Sequence, residues 1–88
     1  SPAQKQAIQN HAYLLDVRMI EEAAIRANPG IWKYLLKSAT RGLPYERIEY
    51  DDELGRIPVG STEFYAYRRL FYRYLDELKI GYKSKAIP

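Results

Sequence analysis

Between residues 61 and 79 arginine and tyrosine recur together: Tyr65, Arg68, Arg69, Tyr72 and Arg73, with Ser61 and Thr62 before them and Lys79 after. Guanidinium groups bind phosphate oxygens in a two-pronged fashion, and a phenol can donate to phosphate or stack on sugar and base. The chemistry within reach is recognition of a polyanion. Tyrosine and arginine are also enriched at protein interfaces, so composition alone leaves a protein partner open.

Catalytic chemistry has far less to work with. The chain lacks cysteine, which excludes a thiol nucleophile, a disulfide and a thiolate metal site. His11 is the single histidine and reads as a surface or helix-start residue rather than a ligand. Asp51, Asp52 and Glu53 lie side by side, without the alternating spacing and later glutamate of a calcium loop, and read as a solvated acidic connector. Ser61 and Thr62 have no neighbouring base, and no GxxxxGK phosphate loop is present. The expectation is a non-enzyme without cofactor or metal.

Four helices must position these residues. The first is expected from Pro2 to Ala27, with Ser1 as cap, Gln4 reaching back, and Ile8, Ala12, Leu15, Met19 and Ala23 on one face. Asn28 is expected to cap a second helix, Ile31 to Arg41, ended by Gly42. In it Trp32, Leu35, Leu36 and Ala39 point inward, while Lys33, Lys37 and Arg41 form an outward basic stripe. A short third helix opens at Leu43-Pro44 and runs to about Tyr50. Residues 50–60, with Gly55, Pro58 and Gly60, make a connector in which Asp52–Leu54 add a helical turn. Ser61 caps the last helix, Thr62 to Ile80, which Gly81 stops before a loose tail. No strand pair is expected.

On a wheel of 100° per residue, Phe64, Tyr67, Leu70, Phe71, Tyr74, Leu75 and Leu78 occupy one arc of roughly 140°. Tyr65, Arg68, Arg69, Tyr72, Arg73 and Lys79 fall outside it. The start of this helix is short and polar and its later turns are basic, the gradient of a helix that reads bases first and grips backbone further along.

The segments GLPYERI (42–48) and ELGRIPVGST (53–62) resemble the helix-turn-helix of region four of bacterial sigma factors. There a GLSYEEI-like helix precedes LGIPVGT and the recognition helix. Gly42, Leu43, Tyr45, Glu46 and Ile48 match the first part, and Leu54, Gly55, Ile57, Pro58, Val59 and Gly60 match the turn. Ile48 and Leu54 stand about two residues further apart than in that family, and Arg56 is inserted before Ile57. The ending IPVGSTEFYAYRRLFYRYLDEL looks like the small late-gene regulators of phages and prophages of Gram-positive bacteria. The resemblance implies an all-α domain spanning 1–88, ending in a helix-turn-helix over about 42–80, that binds double-stranded DNA as a transcription regulator. Ser61, Thr62, Tyr65 and Arg69 would lie near bases, with Arg68, Tyr72, Arg73 and Lys79 near phosphates.

Length and charge set the remaining expectations. A chain of 88 residues with 47% apolar residues folds around one small core, which makes a homodimer through the long first helix attractive. The formal charge of +3 is weak, but 64–85 carries Arg68, Arg69, Arg73, Lys79, Lys83 and Lys85 against Asp76 and Glu77. That weakness keeps two alternatives in play: an adaptor or inhibitor docking its Tyr/Arg face on a protein such as RNA polymerase, and the DNA-recognition part of a phage packaging protein. Without cysteine, an apolar membrane run or a leader-like N-terminus, a cytoplasmic setting is expected.

Overall fold

The computed structural model describes residues 16–86, with side chains over 16–81. The expected cap at Ser1 and Gln4, the stripe at Ile8, Ala12 and Leu15, and His11 lie outside the described residues. The described residues form a mostly helical bundle. Helix α1 covers 16–27, α2 Trp32–Arg41, α3 Tyr45–Ile48 and α4 Ser61–Ala86. Two short strands, β1 (Tyr50–Asp51) and β2 (Gly55–Arg56), stand between α3 and α4.

Helix α1 presents Met19, Ala23, Ala24 and Ala27 to the core. Three small side chains on one face let its backbone come close to its neighbours. Its end differs from expectation. Asn28 does not cap α2: its Oδ1 accepts the Gly30 N–H at 2.8 Å, closing a tight turn. Ile31, with no side-chain cap, is the residue that enters α2.

In α2 the buried face is Tyr34, Leu35 and Ser38. Trp32, Leu36 and Ala39, expected inward, are only partly covered. The rotation follows from polar demands: Tyr34 and Ser38 both have partners on other elements, described below. Gly42 ends the helix at φ 64°, its N–H donating back to the Ser38 carbonyl. Ser38 Oγ donates to the Leu43 carbonyl at 2.6 Å, turning the chain into α3.

Helix α3 is a single turn that stops at Ile48, short of the expected Tyr50. In place of further helix, the chain makes an antiparallel pair, Tyr50 opposite Arg56 and Asp51 opposite Gly55. Asp52–Leu54 connect them as a three-residue turn, and Gly55 follows at φ 81°, the left-handed position such a hairpin needs. The Ile57 N–H donates to the Glu49 carbonyl at 2.9 Å and extends the pairing. Asp51 Oδ1 accepts the N–H groups of Glu53 and Leu54, both at 2.9 Å. Its Oδ2 meets Lys37 Nζ at 2.5 Å, with the carboxylate only 4% exposed. The expectation is corrected for Asp51 and Lys37, which neutralise each other beneath the hairpin, while Asp52 and Glu53 are exposed as a solvated acidic connector would be.

Helix α4 begins one residue earlier than expected. Gly60, not Ser61, supplies the first carbonyl, which accepts the Phe64 N–H at 2.9 Å. It also runs through Gly81 to Ala86, where a loose tail was expected. Phe64 and Phe71 are its fully buried anchors, with Tyr67, Leu70, Tyr74, Leu75 and Leu78 packed around them. Phe64 meets Tyr45 at 5.7 Å between ring centroids. Helix α2 packs on α3 and α4, and α3 on α4, around Leu35, Ile48, Ile57 and Phe64. Among the described residues no helix is long and apolar enough to cross a membrane.

Two predictions test this frame. An added Cβ at Gly42 or Gly81 meets nothing within 4 Å, so each substitution isolates backbone preference. Gly42→Ala, forced into a left-handed conformation, should lose about 1–2 kcal/mol in urea unfolding. Gly81→Ala, inside a helix, should gain about 0.5 kcal/mol. The second concerns acid. Lys37 first, then the Leu54 and Glu53 amides, hold Asp51 down from 3.8 to about 2. A carboxyl depressed on folding contributes stability that is complete above its unfolded value and lost as pH falls through its folded one. Melting midpoints should therefore drop between pH 4 and pH 2 in the native chain, and that part of the drop should vanish in Asp51→Asn.

Candidate nucleic-acid interface

The expected site residues all lie on α4, and the structure divides them by how much of each is already engaged. Ser61 and Thr62 are exposed on its first turn, with Glu63 suiting the positive end of the helix dipole. Arg69, Arg73 and Lys79 are exposed further along, and Tyr72 is 42% exposed. Thr62, Ala66, Arg69 and Arg73 recur at four- and three-residue steps, so they form one stripe facing away from the core. Arg73 Nε lies 3.5 Å from Glu77 Oε1, an exposed contact that costs little to break. Arg69 makes no ion pair among the described residues.

Tyr65 and Arg68 behave differently from the expectation of a free outward pair. Tyr65 is half-buried, and its hydroxyl oxygen accepts the Tyr45 N–H at 2.9 Å. That amide opens α3, where no side-chain cap is available, and Tyr65 satisfies it from α4. Arg68 is also half-buried. Its Nη1 donates to Ser38 Oγ at 3.1 Å, and its guanidinium lies 4.8 Å from the Tyr65 ring centroid and 5.9 Å from that of Tyr72. Both rings thus lie within cation–π range of the guanidinium. These residues tie α4 to α2 and α3 before they touch anything else.

The hairpin fixes where α4 begins. Tyr34 donates its hydroxyl proton to the Leu54 carbonyl at 2.6 Å, with the Gly55 carbonyl also in reach at 2.9 Å. Burial, with Asp51 nearby, pushes this phenol above its usual pKa, so it stays a donor. Tyr45 donates to the Val59 carbonyl at 2.8 Å, and burial raises its pKa in turn, with Glu49 adding to the effect. Two phenols from α2 and α3 thus hold both flanks of the segment leading into Gly60.

Sequence reading missed four residues of this arrangement. Tyr34 and Ser38 sit among apolar positions of α2 and carry no signal beyond helical spacing. Asp51 and Gly55 did carry one: an aspartate four residues before a glycine, between β-favouring tyrosine and isoleucine, is compatible with a short hairpin. On the outer face of that hairpin, Tyr50 is 69% exposed and Arg56 Cζ lies 5.5 Å from its ring centroid. Among the described residues no three histidine, aspartate or glutamate side chains gather as a metal site.

The division on α4 is measurable. Tyr65→Phe removes the acceptor of the Tyr45 N–H and should cost about 1 kcal/mol in urea unfolding. Arg69→Ala, on the exposed stripe, should change stability by less than about 0.5 kcal/mol. Compared with known proteins, the chain matches no protein-family model, no curated protein and no solved structure.

Proposed function

We propose that this chain binds double-stranded DNA sequence-specifically and regulates transcription, in the manner of the small phage and prophage regulators its 42–78 segment resembles. The observation that carries this reading is the exposed stripe of α4, Thr62 and Ala66 on the first turns and then Arg69 and Arg73, with exposed Ser61 and Tyr72 at its edge. Short polar side chains can approach base edges in a major groove, and arginines one and two turns later fall where the sugar–phosphate walls rise. The rigid attachment of the helix supports the same reading, because Tyr65 and Arg68 hold it against α2 and α3 without using the stripe. Absence of a catalytic constellation is part of the proposal: the function is binding.

A homodimer through α1 belongs to this reading as well. Ile25 is 41% exposed on that helix, apolar surface that a second copy would cover, and two copies would present two α4 helices to neighbouring turns of DNA. The adaptor reading, in which the same Tyr/Arg stripe meets a protein such as RNA polymerase, draws on the acidic side chains near the start of α4: Glu46, Asp52, Glu53 and Glu63 are all exposed.

Duplex binding decides between them. Fluorescence anisotropy with labelled duplex DNA should show affinity falling with salt at a log–log slope of roughly −5, as for about half a dozen phosphates neutralised. The Arg69→Ala/Arg73→Ala double variant should keep its circular dichroism and lose about 2–4 kcal/mol of binding. Equal affinity in the variant and the native chain would rule out the stripe as the DNA-contacting face.

A further inference from the structure

The hairpin between α3 and α4 is held more firmly than a connector requires. Asp51, Lys37 and Tyr34 fix its inner side, while its strands leave Tyr50 and Arg56 exposed, directly opposite each other in the register, and its turn leaves Asp52 and Glu53 exposed. Two clefts meet at Arg56. One runs toward α4 and is lined by Tyr45, Arg56, Pro58, Gly60 and Glu63. The other runs toward the start of α2 and is lined by Pro29, Trp32, Lys33, Glu53, Arg56 and Pro58. Arg56 and Pro58 belong to both, so the surface is continuous from the first turn of α4, over the hairpin, to the first turn of α2.

Both cations on this surface lie against a ring. Lys33 Nζ is 5.6 Å from the Trp32 ring centroid, and Arg56 lies over Tyr50. A ring face restrains a cation without neutralising it. Neither Lys33 nor Arg56 forms an ion pair among the described residues. Glu53 lines the second cleft and Glu63 the first, and neither pairs with these cations. Two positive charges, unpaired among the described residues, therefore line adjoining clefts, Arg56 next to the start of α4 and Lys33 at the start of α2, on elements that the Tyr/Arg stripe does not include.

We propose that the hairpin and the start of α2 form a second DNA contact, in which Arg56 and Lys33 bind phosphates of the strand flanking the groove that α4 enters. This rests on the DNA reading of α4 and extends its footprint beyond that helix. The ligand is the phosphodiester backbone: the two cations line clefts on the hairpin and the start of α2, away from the α4 stripe, so they contribute affinity and orientation rather than sequence discrimination. Glu53 in one cleft and Glu63 in the other oppose the contact, and removing the Glu53 charge should strengthen it.

The test uses the full chain and one labelled duplex, with titrations across a salt series. The Lys33→Ala/Arg56→Ala variant, whose altered side chains make no hydrogen bond among the described residues, should bind about tenfold or more weakly at low salt. Its log–log slope should be shallower by about two, one for each phosphate that is no longer neutralised. Glu53→Gln should bind several-fold more tightly. Weakened binding in Arg69→Ala/Arg73→Ala with unchanged affinity and slope in Lys33→Ala/Arg56→Ala would overturn this inference and leave the reading of α4 standing. No salt-sensitive duplex binding by the native chain would overturn both, and the hairpin would then be a protein-facing surface.

Discussion

A carboxylate that is almost completely covered must find charge and hydrogen bonds inside the protein, or the fold around it cannot persist. Asp51 is that group. It finds Lys37 on α2 and the two amides of the turn that follows it, and every one of these partners does something else by being held. Fixing the amides of Glu53 and Leu54 shapes the three-residue turn. The Leu54 and Gly55 carbonyls then face Tyr34, and Ile57 can return to the Glu49 carbonyl. Fixing Lys37 binds the hairpin to the middle of α2. The path from α3 to α4 is thereby set by one buried charge, and α4 starts where Val59 is held by Tyr45.

From there α4 is positioned by side chains that a helical wheel assigns to its outside. Tyr65 and Arg68 flank the apolar arc, and both are long enough to bend their polar ends back onto α3 and α2. Sharing Ser38 between the Leu43 carbonyl and Arg68 links the end of α2 to the second turn of α4. The buried strip of α4 is therefore wider than its hydrophobic residues alone, and the free strip correspondingly narrower. Thr62, Ala66, Arg69 and Arg73 remain outward as the stripe opposite that strip, with its orientation fixed from both sides.

The helices were legible in the sequence because their signals are local. Periodic apolar residues, Gly42 after α2 and a polar–apolar start to α4 each act within a turn or two. The all-α bundle of about four helices follows from them, and so does the pairing of Phe64 and Phe71 as anchors. The ends were less legible. Asn28 can cap a helix or close a turn onto Gly30, and only the direction of the next helix decides between them. Gly81 can stop a helix, yet in α4 the chain continues through it. The hairpin was least legible, since two residues per strand give no alternation to read. Its stability comes from Lys37 and Tyr34, which are fourteen and twenty positions away. Within the candidate site the residue types could be read, but not which of them the fold had already engaged.

The same ion pair also redraws the electrostatic surface. Counted along the chain, residues 46–53 are an acidic run and Lys33, Lys37 and Arg41 a basic stripe. Pairing Asp51 with Lys37 takes one charge from each, with Asp51 buried and Lys37 partly covered. The acidic run is left as exposed Glu46, Asp52 and Glu53, with Glu49 half-covered, and the stripe as Lys33 and Arg41 at opposite ends of α2. Lys33 falls beside the hairpin, where Arg56 stands, and Arg41 falls beside the turn into α3. A separation of acid from base along the sequence thus becomes a mixture of both around the start of α4. The arginines of its later turns keep a field of their own. Charge that a net count reports as weak is in this fold distributed by position, and the position is set by which carboxylate the core required.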